Sequence, residues 1–202
     1  MPIFLITEPR CVFAHVPKTG GNSIRNVLFE KRYDGPWFGD RLPENWQNLF
    51  KFGFVRNPFD RVVSAWRMFC HGTEDDEWHL PEGGALELAL TDVLRLGLDE
   101  TAPFGHPRYN KVKPDPLIRL KNHILPQTHP YHGLAMMDFI GRFEKLQADF
   151  DYVCDQLGIA KQELPKTNWT RHSHYRDYFD EQSRRLAEEL YRDDLKDFDY
   201  QF

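Results

Sequence analysis

Short apolar runs alternate with amphipathic stretches along the chain, and glycine or proline marks most of the switches between them. Val12, Phe13, Ala14 and Val16 have the length and composition of a central strand covered on both faces, and Pro17 stops the run. After Gly20-Gly21, either Asn22 or Ser23 can cap a helix whose Ile24, Val27 and Leu28 make one apolar face. Residues 33 to 49, with Gly35-Pro36-Trp37 and Leu42-Pro43 as breakers, read as loop. Phe52, Phe54 and Val55 then make a second strand. Asn57-Pro58 starts a helix, and Phe59, Val62, Val63, Trp66, Phe69 and Cys70 recur at helical spacing as its buried stripe. Leucines at 86, 88, 90, 94, 96 and 98 predict a helix led in by Pro81-Glu-Gly, and residues 100 to 116 a Pro-rich loop facing an acceptor. Asp138 to Phe143 alternates as a third strand. A helix through Leu146, Phe150, Val153, Cys154 and Leu157 follows and ends at Gly158. Phe179, Leu186, Leu190, Tyr191, Leu195 and Phe198 predict one closing amphipathic helix. The expectation is a single α/β domain over residues 1 to 202, with a central, mainly parallel sheet between layers of helices.

The first strand, its glycine turn and the helix start carry the chemistry. Unpaired N–H groups at a helix N-terminus and the helix dipole both favour an anion, so this stretch predicts a phosphate or sulfate site. In a Walker A loop the lysine follows the glycines and directly precedes the magnesium-binding hydroxyl. Here Lys18 comes before Gly20 and Gly21, and Asn22 stands before Ser23, which argues against a magnesium-dependent nucleotide hydrolase. The second strand places Arg56 at its carboxyl end, where open α/β sheets bind ligands, and Ser64 about two turns into the following helix. Arg56 offers a planar fork for a phosphate and Ser64 a hydroxyl. Their plainer readings are a salt bridge and a small packing residue.

Composition narrows the classes. A 202-residue chain with 41% hydrophobic residues can build a proper core. Its net charge of −5, without a basic block, makes nucleic acid an unsuitable partner. No apolar run reaches the roughly 20 residues of a membrane span, and Met1 to Ile6 is too short for the core of an export signal. Cys11, Cys70 and Cys154 read as reduced thiols of a cytoplasmic protein, and no Cys/His spacing predicts a metal site.

The stretches His15-Val-Pro-Lys-Thr-Gly-Gly-Asn-Ser23 and Phe54-Val-Arg-Asn-Pro-Phe-Asp-Arg-Val-Val-Ser-Ala-Trp66 resemble, in order, the two signature motifs of sulfotransferases that use 3′-phosphoadenosine-5′-phosphosulfate (PAPS). The branch they resemble includes carbohydrate sulfotransferases and their short bacterial relatives. The likeness continues through Asp138 to Leu146, Leu164 to Asn168 and Tyr175 to Phe202. It implies a P-loop-like fold in which Pro17, Lys18, Thr19, Gly20, Gly21, Asn22 and Ser23 hold the 5′-phosphosulfate, and Arg56 and Ser64 the 3′-phosphate. It also implies that Phe143 lies beside the adenine, or else in the core, and that Lys166 or Arg171 neutralises a phosphate from a closing loop. Relatives carry a base between the motifs. Of the acids there, Asp40 after Trp37, Phe38 and Gly39 is the choice, with His123 and His129 as candidates from the later half. The implied reaction is in-line sulfuryl transfer from PAPS, without a metal, to a hydroxyl of a glycan, a lipid-linked sugar or a small alcohol, and Trp37, Trp46 and Trp78 would suit stacking on a sugar. Two other readings are a kinase-like phosphoryl transferase requiring magnesium and ATP, and a nucleotide-binding protein that kept the pocket without a base.

Overall fold

The computed structural model describes residues 3–28, 33–37, 42–71, 85–105, 115–165 and 173–202, with the backbone alone described over 33–37. Five strands, β1 (Ile3–Thr7), β2 (Arg10–Ala14), β3 (Tyr33–Trp37), β4 (Lys51–Val55) and β5 (Phe139–Arg142), share one sheet. The described helices are α1 (Gly21–Leu28), α2 (Pro58–Cys70), α3 (Leu90–Leu98), α4 (Pro116–Ile124), α5 (Leu146–Leu157), α6 (Glu181–Leu190) and α7 (Arg192–Asp197). The chain forms two compact units, each built from two separated segments. The first comprises Met1–Arg56 and Gln127–Thr167, and the second Asn57–Pro126 and Asn168–Phe202.

The first unit holds the whole sheet, in the order β3-β1-β2-β4-β5. β2, β4 and β5 are parallel neighbours, and β1 is antiparallel to both β2 and β3, so four strands share a direction and β1 alone is reversed. This is the α/β architecture with a mostly parallel, helix-flanked sheet that the sequence predicts. Period-2 alternation sorts the side chains. Phe4, Ile6, Cys11, Phe13, Phe52 and Phe54 pack with Ile24 and Leu28 of α1 and Phe150, Val153 and Cys154 of α5. Ile3, Leu5 and Val12 pack instead with Leu42 and Trp46.

Two strands depart from the sequence reading. Ile3-Phe-Leu-Ile6, considered above only as too short for an export signal, becomes β1. Tyr33–Trp37, expected as loop, pairs with β1 at the sheet edge, where Pro36 is tolerated because an outer N–H needs no ladder partner. α5 ends as expected at Gly158, whose left-handed φ of 65° lets the chain turn away.

The second unit is helical among its described residues. Phe59, Val62, Val63 and Phe69 of α2 pack with Leu90, Val93 and Leu94 of α3, Leu120 and Ile124 of α4, and Ala187 and Leu190 of α6. The leucine-rich helix begins at Leu90. Leu86 and Leu88 lie before it, where Leu86 N–H donates to Phe69 O at 2.9 Å and Leu88 O accepts from Trp66 Nε1 at 2.8 Å. The closing helix is interrupted at Tyr191, which is fully buried and donates its hydroxyl hydrogen to Ile124 O at 2.9 Å. α4 was missed from the sequence, although Asp115-Pro116 is a start signal of the kind used for α2. Among the described residues no helix is long and apolar enough to cross a membrane.

Lys121 on α4 is 3% exposed and donates to Leu96 O, Gly97 O and Asp99 O at 2.7, 2.7 and 3.0 Å. It thereby satisfies the carbonyl end of α3, which a cation favours electrostatically. Lys121→Met keeps the stem and removes these charge-assisted bonds. Destabilisation by about 1.5–3 kcal/mol is expected as a lowered urea midpoint at unchanged slope.

Candidate active site

The three parallel neighbours β2, β4 and β5 end on one edge of the sheet, and the residue groups that follow them meet there. The glycine loop follows β2, Arg56 follows β4, and Phe143 follows β5. Open α/β sheets gather ligands at this edge because the loops leaving parallel strands converge on it.

The loop is held in an unusual backbone shape. Lys18 has a φ of 66° and Gly20 one of 83°. For lysine the left-handed region costs about 1–2 kcal/mol and persists only where surroundings enforce it. Thr19, 1% exposed, does so from within by donating its hydroxyl hydrogen to Val16 O at 2.9 Å. Arg56 does so from outside: its Nη1 donates to Lys18 O at 3.1 Å. α1 begins at Gly21, so Gly20 precedes the helix, Asn22 is exposed in the first turn and Ser23 is buried there. The expected cap at Asn22 or Ser23 is therefore displaced by glycine. Gly21 itself has no room for a side chain, because the His15 ring atoms Cδ2 and Nε2 sit where one would start. That ring stacks on Phe13 with centroids 5.8 Å apart. Burial first, and then the charge of Arg25, push the His15 pKa down to about 3, so it packs the loop as a neutral ring.

Two cations converge on this loop. Desolvation is the larger cause, and the neighbouring Arg56 guanidinium the second, that hold the Lys18 ammonium down at a pKa of about 8. Arg56 is 8% exposed, and its guanidinium carbon lies 4.2 Å from the Phe143 ring centroid. Phe143 Cδ2 also closes on Gly20, 3.3 Å from where a Cβ there would sit. The face of Phe143 toward Arg56 is thus taken by the guanidinium, a role the sequence reading did not give it. Pro17, Lys18, Thr19, Gly20, Gly21, Asn22, Ser23, Arg56 and Phe143 all belong to the first unit. Ser64 lies on α2 in the second unit, 5% exposed. Asp40, Lys166 and Arg171 lie outside the described residues.

The two candidate histidines are each held by contacts of their own. His129 accepts the Tyr131 N–H on Nδ1 at 3.1 Å, which in the neutral ring leaves its hydrogen on Nε2, making that atom a donor. His123 belongs to the second unit, where its Nδ1 bonds Arg119 O at 2.7 Å and its ring meets Phe69 edge-on. Gln127 went unnoticed in the sequence. It is fully buried, its Oε1 accepts from Arg56 N at 2.9 Å, and its Nε2 donates to Arg56 O at 2.9 Å. A lone glutamine 71 residues from its partner gives no signal until the chain is folded.

With that geometry in place, the chain belongs to the sulfotransferase family, whose model matches residues 2–201. Sulfotransferases of this family take their sulfuryl group from PAPS. The chain is similar to human carbohydrate sulfotransferase 14, with 29% identity over 167 residues that cover 72% of this chain and 44% of that protein. Mouse carbohydrate sulfotransferase 11 shares 25% over 158 residues, covering 72% and 42%. The chain thus spans less than half the length of these relatives. No solved structure matches it at a comparable level.

An anion that settles between Lys18 and Arg56 stabilises the charged amine, so the Lys18 pKa must rise on binding. Affinity for a phosphate or sulfate ligand is therefore expected to be fully developed below about pH 8 and to fall as pH rises through and above it. Titration calorimetry at pH 8 in buffers of different ionisation enthalpy should show net proton uptake. Proton release, or affinity flat from pH 7 to 9.5, would remove Lys18 from the site.

Proposed function

We propose that the protein transfers a sulfuryl group from PAPS to a hydroxyl of a sugar-containing acceptor by in-line displacement. The observation that carries this reading is the pairing of Lys18 and Arg56 over one glycine loop, with Arg56 tied to the carbonyl of Lys18. Two cations held together in a partly desolvated place suit a ligand carrying more than one anionic group. The family membership says which ligand, and the relatives' printed names favour a carbohydrate acceptor.

In this reading Lys18 and the N–H groups opening α1 bind the 5′-phosphosulfate and stabilise charge where it develops, on the bridging and equatorial oxygens. The loop aligns the sulfur for attack by the acceptor oxygen, which is the main task when the transferred group needs little covalent help. Arg56 binds the 3′-phosphate, with Ser64 as the second donor. Asp40 takes the acceptor proton, and Lys166 or Arg171 neutralises a phosphate. Phe143 supports Arg56 and borders the adenine. The Nε2–H of His129 is suited to donating rather than to accepting the acceptor proton.

Calorimetric titration with adenosine 3′,5′-bisphosphate, the product nucleotide, beside ADP with magnesium tests the donor. The bisphosphate is expected to bind and ADP not to. Equal binding of ADP would favour phosphoryl transfer instead. Arg56→Ala should weaken the bisphosphate by about 1.5–3 kcal/mol. Lys18→Ala should lower transfer of labelled sulfate from PAPS to a sugar panel by about 10²-fold or more, the scale of losing one main stabiliser of developing charge. Normal turnover in that variant would overturn its role.

A further inference from the structure

Arg56 is the first residue beyond β4, one position past the last rung of the ladder, where Val55 pairs with Arg142. Its peptide N–H and C=O therefore lie past the ladder that pairs Phe52 to Val55 with β5. Gln127 bonds both, one through Oε1 and one through Nε2, each at 2.9 Å. A single side-chain amide thus does for Arg56 what a neighbouring strand does for β4. The two contacts also fix which end of the amide is oxygen. Gln127 itself is completely buried.

We propose that Gln127 is a positioning residue for recognition of the 3′-phosphate, acting through the Arg56 peptide. The inference rests on the PAPS reading above. Arg56 carries a long side chain whose guanidinium lies over Phe143 and reaches the Lys18 carbonyl. A small rotation of its backbone would swing that head group away from both. Gln127 is well placed to prevent this because the segment it begins is fastened to the sheet. Gly133, at a φ of 69°, lies so close to Ile3 that a Cβ there would come within 2.7 Å of Ile3 Cδ1. Leu134 packs onto Gly53 in the middle of β4. The glutamine is thus anchored on the strand whose last peptide it extends.

The test compares PAPS with adenosine 5′-phosphosulfate, which differs from it only in lacking the 3′-phosphate, in the wild type and in Gln127→Glu and Gln127→Met. Both substitutions keep the length of the side chain. Glu loses the donor and sets an oxygen against the Arg56 carbonyl, and Met loses both bonds. Tenfold or greater loss of the affinity ratio between the two nucleotides is expected in each folded variant, while affinity for the phosphosulfate moves far less. In an Arg56→Ala background the same substitutions should leave the ratio where Arg56→Ala alone puts it. A ratio retained in a folded Gln127 variant, or lost equally in the Arg56→Ala background, would overturn the proposal. If the wild type shows no preference for the 3′-phosphate, the PAPS reading itself fails. Should neither variant fold, the wild type still decides. The Gln127 side-chain amide and Arg56 N–H resonances must shift on adding PAPS and stay in place with the phosphosulfate, and unmoved resonances reject the idea.

Discussion

The first unit depends on holding two positive groups close to each other at the end of a sheet. Desolvation disfavours the charged amine, and the like charge of Arg56 adds to the cost, which is why the Lys18 ammonium sits well below its ordinary pKa. The fold holds Arg56 in place through both its peptide and its guanidinium. Gln127 fixes the Arg56 peptide, the Phe143 ring supports the guanidinium from one side, and a carbonyl rather than a carboxylate receives its Nη1 hydrogen. A carboxylate in that place would neutralise the pair and compete with an incoming anion.

The backbone of the loop answers the same constraint. Left-handed geometry at Lys18 and Gly20 would relax in an isolated peptide, and here it is enforced by Thr19 from within the loop and by Arg56 from the next strand. His15 and Gly21 show how closely the parts are fitted. The ring lies where a side chain on residue 21 would have to go, so the histidine and the glycine require each other. A titrating histidine would disturb that packing with every protonation, and burial keeps the ring neutral.

How much was legible in the sequence depends on how local the determinant was. The β2 strand, the glycine turn, β4, the Asn57-Pro58 start and the Gly158 stop are written within a few residues of where they act, and they were read correctly. Arg56 and Lys18 were readable as candidate phosphate ligands because each follows a recognisable strand. The features that were not readable depend on partners distant in sequence. β3 exists because β1 offers it an edge, which overrides the local turn signals of Gly35 and Pro36. Tyr191 breaks a continuous helical pattern because its hydroxyl is tied to a carbonyl on α4. Gln127 sits in a polar stretch between two prolines, with nothing local to distinguish it. Phe143 was seen as an aromatic near a strand end, and only the folded chain shows that a guanidinium already covers one face.

The depressed pKa of Lys18 also bears on the reactivity of its amine. At neutral pH an ordinary lysine exposes its lone pair in only about one molecule in a few thousand, whereas an amine with a pKa of about 8 does so in about one in ten. The loop therefore carries a nucleophile. An acylating or sulfonylating reagent that fits between the guanidinium and the glycines would attach to this side chain ahead of the ordinary exposed lysines. Any anion resident in the loop would shield it by restoring the proton, so occupancy of the site becomes readable as the rate at which one amine is consumed.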